Sequence, residues 1–187
     1  MTEPEIQLLY DGQSIQNQVN AIGRQLEADL AEEDPLLISV VGGSVVFLAD
    51  LVRAIQKPIR YEFIQVQYSA ATLEDDVMEI HYPISMDVAD QTLVIVKDVV
   101  TTGVIETYLV SQFTQRGARQ VVVAALLDLP EERRTELRVD YRLFTPKKAG
   151  LFVGYGLKTG GRYGNLPYIG RLAEQRSGIG RGAHTLE

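Results

Sequence analysis

A chain of 187 residues, 45% hydrophobic and 23% charged, is long enough to bury the core of one domain and short for two. Its formal net charge of −7 and sequence pI near 4.9 exclude a general nucleic-acid binder, which needs a basic footprint to displace counterions; a small anion held by local backbone donors remains compatible. The lack of cysteine excludes disulfides, thiolate zinc sites and cysteine nucleophiles, and the two histidines, His81 and His184, have no spacing suited to a metal site or a Ser-His-Asp triad.

The N-terminal run MTEPEIQLLYDGQS has neither the basic start nor the apolar stretch of a signal peptide. No apolar segment approaches the length of a membrane span. The expectation is a cytoplasmic protein without membrane partners.

Residues 5–10 (EIQLLY) read as a short strand closed by the turn signal Asp11-Gly12. A helix follows, because Ile15, Val19, Ile22, Leu26 and Leu30 recur at steps of three and four. Pro35 ends that segment, and 36–41 (LLISVV) reads as a buried strand. After Gly42-Gly43 a second helix runs through Phe47, Leu48, Leu51 and Ile55 to Pro58. Residues 59–66 alternate like a strand, 69–76 read as an exposed loop, and 77–82 as a hairpin arm leaving it. The run LVIV (93–96) is expected of a central strand covered on both faces, ending in Asp98. Gly103 opens the next helix, with Ile105, Tyr108, Leu109 and Phe113 as its expected inner face. Gly117 caps it, and 121–127 (VVVAALL) gives another buried strand. Strands alternating with helices predict an α/β fold with a mainly parallel sheet. Beyond residue 140, β-like pieces at 141–144 and 152–155 among many glycines suggest a small accessory lobe. The expected organisation is a single domain over 1–175 with a disordered tail at 176–187.

The segment LVIVKDVVTTGVI (93–105) carries the chemistry. A tight turn of Thr101, Thr102 and Gly103 between a buried strand and a helix aims backbone N–H groups and the positive helix end at one spot. With two hydroxyls beside them, a phosphate is the natural guest, and the carboxyl end of a sheet strand is where α/β folds bind ligands. Read from the residues alone, Asp98 and Thr101 could equally be helix caps.

The run of strand, acid and Val-Val-Thr-Thr-Gly resembles the phosphoribosyl pyrophosphate motif of type I phosphoribosyltransferases. Six ordered blocks over about residues 5–172 resemble hypoxanthine-guanine phosphoribosyltransferases in particular: VVGGSVVFLADLVRAI (40–55), YEFIQVQYS (61–69), LLDLPEERR (126–134), DYRLF (140–144), FVGYGL (152–157) and YGNLPYIG (163–170). The resemblance implies the type I phosphoribosyltransferase fold, a mainly parallel sheet flanked by helices with a small hood built from C-terminal and N-terminal segments. It also implies displacement of pyrophosphate from a magnesium-bound donor by a purine nitrogen. Asp98 and Thr101 then fall at catalytic positions, and Val99, Val100, Thr101, Thr102, Gly103, Val104 and Ile105 at the nucleotide phosphate. Gly42, Gly43 and Ser44 fall at the pyrophosphate loop, and Leu129, Leu151 and Phe152 at the wall of the base site. Arg162 is a candidate for pyrophosphate and Asp98 for the metal.

Several of these positions depart from the family pattern. Lys97 replaces the first acid of the acidic pair, and its ammonium is expected either to occupy Asp98 or to turn outward or pair with another acid. Thr101 replaces the proton-accepting aspartate, although orotate enzymes resemble this loop and carry threonine there. Ile105 replaces a hydroxyl residue, Leu129 the purine-contacting lysine, Leu151 the stacking aromatic, Lys158 a magnesium-site aspartate and Gly164 an arginine. The acids Glu74, Asp75 and Asp76 stand in the mobile loop, where small polar residues are usual. These replacements put magnesium in doubt at Lys97 and Lys158. They suggest a member that binds a purine nucleotide or phosphoribosyl pyrophosphate with impaired purine-salvage catalysis. The alternatives are an active enzyme or a transferase with a changed acceptor. The family habit also implies a homo-oligomer, dimer or tetramer.

Overall fold

The computed structural model of the chain describes residues 4–31, 33–72, 75–81, 83 and 86–173, with the backbone alone for 67–72 and 75–79. The elements in chain order are β1 (Ile6–Tyr10), α1 (Gly12–Asp29), β2 (Leu36–Val40), α2 (Ser44–Ala54), β3 (Arg60–Thr72), β4 (Asp75–His81), β5 (Thr92–Val100), α3 (Val104–Gln115), β6 (Gln120–Asp128), β7 (Tyr141–Phe144), β8 (Phe152–Val153) and β9 (Ile169–Leu172). Six strands form one sheet in the order β4-β3-β2-β5-β6-β7. It is parallel except where β4 returns antiparallel on β3.

The unbroken apolar runs of β2 and β5 are explained by cover on both faces. Leu37, Val94 and Val96 pack with Ile15, Val19, Leu26, Phe47, Leu48 and Leu51 of α1 and α2. Leu36, Ile38, Leu93 and Ile95 pack on the other face with Leu109 and Phe113 of α3. The predicted stripe of α1 is buried as expected, and the Asp11 carboxylate caps the helix by accepting the Ser14 N–H at 2.7 Å. A second, antiparallel sheet β1-β9-β8 forms the hood. Tyr10 fastens it by stacking on Phe144, with ring centroids 3.9 Å apart.

Three expectations need correction. The stretch 69–76, expected as a loop, belongs for the most part to a hairpin: β3 continues to Thr72 and β4 starts at Asp75. Small and acidic residues hid the strand, whose backbone pairing needs no apolar alternation. Tyr141–Phe144 is the edge strand of the main sheet, parallel to β6, and not part of the hood, which joins the N-terminal β1 to β8 and β9 as expected. Four residues are too few to show a period, yet Tyr141 and Leu143 alternate into the core. Finally, β5 runs two residues past Asp98 to Val100, paired with β6 throughout its end. The expected tail at 176–187 lies outside the described residues, as do Glu74 and the side chains of Asp75 and Asp76.

The chain passes from β2 to β3 on one side and then returns to lay β5 on the other side of β2. This reversal makes the carboxyl ends of β2 and β5 the switch point of the sheet, where a ligand crevice is expected.

Candidate functional site

Two loops meet at that switch point. Asp98, near the end of β5, accepts the Val99 N–H at 2.8 Å through Oδ1. The same oxygen receives the Lys97 ammonium. Both side chains are largely buried, 15% exposed for Lys97 and 18% for Asp98, so the ammonium does not turn away to solvent. The other carboxylate oxygen faces the loop after β2, where a Cβ on Gly43 would lie only 2.6 Å from Oδ2. That approach requires glycine at 43. The hood closes over the same loop, since a Cβ on Gly156 would meet the Gly43 carbonyl at 2.4 Å.

The turn 101–103 ends in Gly103, held left-handed at φ +77°, and Gly103 itself is the N-cap of α3 with no side-chain capping bond. Neither Asp98 nor Thr101 caps the helix, which removes the reading of these residues as mere caps. Among the described residues, no hydrogen bond engages the backbone N–H of Thr101, Thr102, Gly103 or Ile105. These donors lie at a helix N-terminus, the kind of cradle that can receive an anion. Residues 133–135 brace it from behind: the Arg134 N–H donates to the Thr102 carbonyl at 2.9 Å, and Thr107 and Thr135 share a hydroxyl contact at 3.0 Å.

Other candidates are placed differently. Val99 and Val100 lie within β5, and Val100 is fully buried, so the cradle starts at Thr101. Ser44 is also fully buried. Its hydroxyl donates to the Val40 carbonyl and contacts Ser39 Oγ at 2.8 Å, which turns it into the fold instead of toward the crevice. Leu129 is 3% exposed and packed in the core, not on an open wall. Leu151 is exposed at 56%, Phe152 is half-buried on β8, and Arg162 sits exposed in a turn closed with Thr159.

A family model for the phosphoribosyl transferase domain matches residues 6–159. The hypoxanthine-guanine phosphoribosyltransferase of Streptococcus pneumoniae is 35% identical over 177 residues, 94% of this chain and 98% of that protein. The chain belongs to the hypoxanthine-guanine phosphoribosyltransferase family. The Bacillus subtilis protein of that name is 32% identical over 166 residues, 88% of this chain and 92% of that protein. Among solved structures, a Bacillus anthracis hypoxanthine-guanine phosphoribosyltransferase superposes with TM-score 0.82 at 26% identity, covering 92% of this chain and 100% of that one. The Trypanosoma cruzi hypoxanthine phosphoribosyltransferase in complex with the product IMP gives TM-score 0.82 at 26% identity, over 93% and 97% of the two chains. The fold is therefore that of type I phosphoribosyltransferases.

The local chemistry has one further feature that the apolar patterning of the sequence did not point to. Glu106, in the first turn of α3, is only 3% exposed. Burial pushes its carboxyl up from the ordinary value, with Asp98 adding to the rise and Lys97 and Arg133 opposing it. The inner face of α3 is Glu106, Leu109 and Phe113, one residue off the expected register, with Ile105 and Tyr108 half-buried at its flank. Counting back three and seven residues from Leu109 and Phe113 reaches 106, so the helical spacing alone places this position on the inner face.

Magnesium, which the family implies, finds poor protein ligands here. Among the described residues, no group of three or more His, Cys, Asp or Glu side chains is placed to hold a metal ion. Asp98 already bears an ammonium, and the exposed Lys158 stands where the family pattern has an acid. The described side chains do not fit a metal held by the protein.

Proposed function

We propose that the 101–105 cradle holds the 5′-phosphate of a purine mononucleotide or of phosphoribosyl pyrophosphate, and that the chain transfers the phosphoribosyl group between pyrophosphate and a purine base. The observation that carries this reading is the set of unengaged amides around left-handed Gly103 at the sheet's switch point. The names of the relatives, all hypoxanthine-guanine phosphoribosyltransferases, weigh for turnover over the impaired catalysis expected from the sequence. In this reading Thr101, Thr102, Gly103, Val104 and Ile105 bind phosphate, Gly42 and Gly43 border pyrophosphate, and Asp98 approaches the ribose hydroxyls. Leu151 and Phe152 cover the base, and Arg162 reaches pyrophosphate. Thr101, which stands where the resemblance places an aspartate, cannot accept the purine proton, so in this reading that proton passes to solvent.

A second reading, a nucleotide-binding member with little turnover, is favoured by one observation: Lys97 occupies the carboxylate that should grip the ribose. Steady-state assay with hypoxanthine, guanine and xanthine, donor and magnesium separates the two. Turnover of ~1–10³ per second supports the transferase. A rate lower by about 10²–10³, the loss typical of one missing electrostatic contact, supports the binder. A purine mononucleotide that failed to raise the thermal midpoint would sink both. The same reading seats a second copy of the chain on the exposed apolar side chains Val45, Val46, Tyr61 and Phe63, which sedimentation tests.

A further inference from the structure

Next to the cradle, and lined by none of residues 98–105, lies a recess of about 330 Å³ with Asp128, Arg133, Arg138, Asp140 and Arg142 in its wall. Its charges do not balance. Asp128, 2% exposed, gives one oxygen to Arg133 and the other to Arg142. Asp140 accepts the Val123 N–H at 2.9 Å through one oxygen and faces Arg138 Nε at 3.5 Å with the other. Three guanidiniums thus meet two carboxylates in the wall whose four oxygens are all engaged, while Glu106, the other acid that acts on Arg133, is pushed toward its neutral form by burial. Each guanidinium has five N–H donors in a planar fork, so donors and positive charge are both in surplus. Arg133 Nη1, on the side of the guanidinium toward Gly103, is buried with no hydrogen-bond partner among the described residues. Arg142 and Arg138, with side chains 55% and 86% exposed, stand where an incoming anion would meet them.

Arg133 also connects this recess to the cradle. Where a Cβ would project from Gly103, Arg133 Cδ lies at 2.8 Å and Nη1 at 3.1 Å, with Thr135 Oγ1 at 2.7 Å. The guanidinium therefore has its Nη2 on Asp128 and its Nη1 against the turn that shapes the phosphate cradle. Any ligand that draws Arg133 or Arg142 off Asp128 must shift the packing behind Gly103.

We propose that the recess is a second anion site that takes a phosphate-type dianion, and that its occupancy is transmitted through Arg133 to the 101–105 cradle. Fork geometry and surplus donors fit the tetrahedral oxygens of a phosphate group. Binding in the recess stands independently of the proposed function; the transmission rests on it.

The test uses the full chain, isotope-labelled and saturated with inosine 5′-monophosphate, titrated with inorganic phosphate at constant ionic strength. Saturable amide shifts are expected at residues 137–142. Arg142→Gln should weaken that response by about tenfold or more, as for one hydrogen bond between charged groups. A second molar equivalent of the mononucleotide is titrated separately, and shifts at 137–142 in that arm alone would identify a nucleotide phosphate as the occupant. No response at 137–142 in either arm, or one unchanged in Arg142→Gln, would overturn the site. Phosphate should also change the mononucleotide affinity by about fivefold or more in the unsubstituted chain and not in Arg142→Gln; an unchanged affinity overturns the transmission. Failure of the mononucleotide to shift 101–106 at the outset would count against the proposed function and leave the recess to be judged on 137–142.

Discussion

Replacing Lys97 with glutamate tests the electrostatic logic of the crevice most directly. The substitution removes the ammonium that rests on Asp98 and sets a second carboxylate beside it, with the buried Glu106 close enough to feel both. Unit charges about 4 Å apart interact by ~4 kcal/mol at an effective dielectric of ~20. The two side chains are 15% and 18% exposed, so solvent relieves only part of this. Lys97→Glu should therefore lose about 2–4 kcal/mol of stability in metal-free buffer, once relaxation is allowed for. The restored acid pair should then recruit a divalent cation, and magnesium at ~100 times its dissociation constant would return about 2.7 kcal/mol. Urea unfolding with and without magnesium measures both terms. Steady-state purine phosphoribosylation should rise by about 10²-fold, the scale of one electrostatic contact. A variant as stable as the parent to within ~0.5 kcal/mol, with no magnesium response, would refute the reasoning.

Other perturbations follow from the same geometry. Gly103→Ala forces a side chain into a left-handed turn against Arg133 and Thr135; it should cost about 2–3 kcal/mol, of which ~1–2 is backbone strain, and weaken mononucleotide binding in a calorimetric titration. The raised carboxyl of Glu106 gives a signed pH effect: its contribution to stability is fully present below the ordinary value of 4.5 and is lost as pH rises through the higher folded value. Glu106→Gln should abolish that decline, so its stability relative to the parent should grow with pH in denaturant titrations; a constant difference across the range would contradict the assignment. Tyr155, whose hydroxyl donates to Asp50 at 2.5 Å and whose ionisation burial suppresses, fastens the hood to α2. Tyr155→Phe should lower stability by about 1–3 kcal/mol, read as a fall in Tm; an unchanged Tm would show the bond to be idle.

What could be read from the residues was set by periodicity and by turn chemistry. The three- and four-step stripe of α1 and the unbroken apolar runs of β2 and β5 specify their partners, because each can be satisfied in only one packing arrangement. Gly103 was legible for a similar reason: a turn into a helix beside two threonines leaves few roles for a glycine. The β3–β4 arm was not legible, since backbone pairing holds a strand of small and acidic residues together without any apolar signature. The end of β5 cannot be located from composition, because residues 99–102 are all β-branched and read alike as strand or turn. Ser44 and Glu106 depart in opposite senses from what their residue types suggest. A serine after two glycines suggests a ligand contact, yet its hydroxyl is spent on the Val40 carbonyl. A glutamate in a helix suggests solvent, yet this one is buried. The pairing of Lys97 with its own neighbour Asp98 was foreseeable as one of two outcomes, and only the three-dimensional enclosure decides between them.

That pairing gives the crevice a cation it cannot lose. A diffusible metal must be gathered from solution, and its occupancy follows its concentration. An ammonium tethered one residue away is present at an effective concentration that no chelator can dilute. The resting crevice should therefore be indifferent to chelators and to swings in magnesium. Any ligand that needs the Asp98 carboxylate has to displace a cation that remains attached and stands ready to return when the ligand leaves.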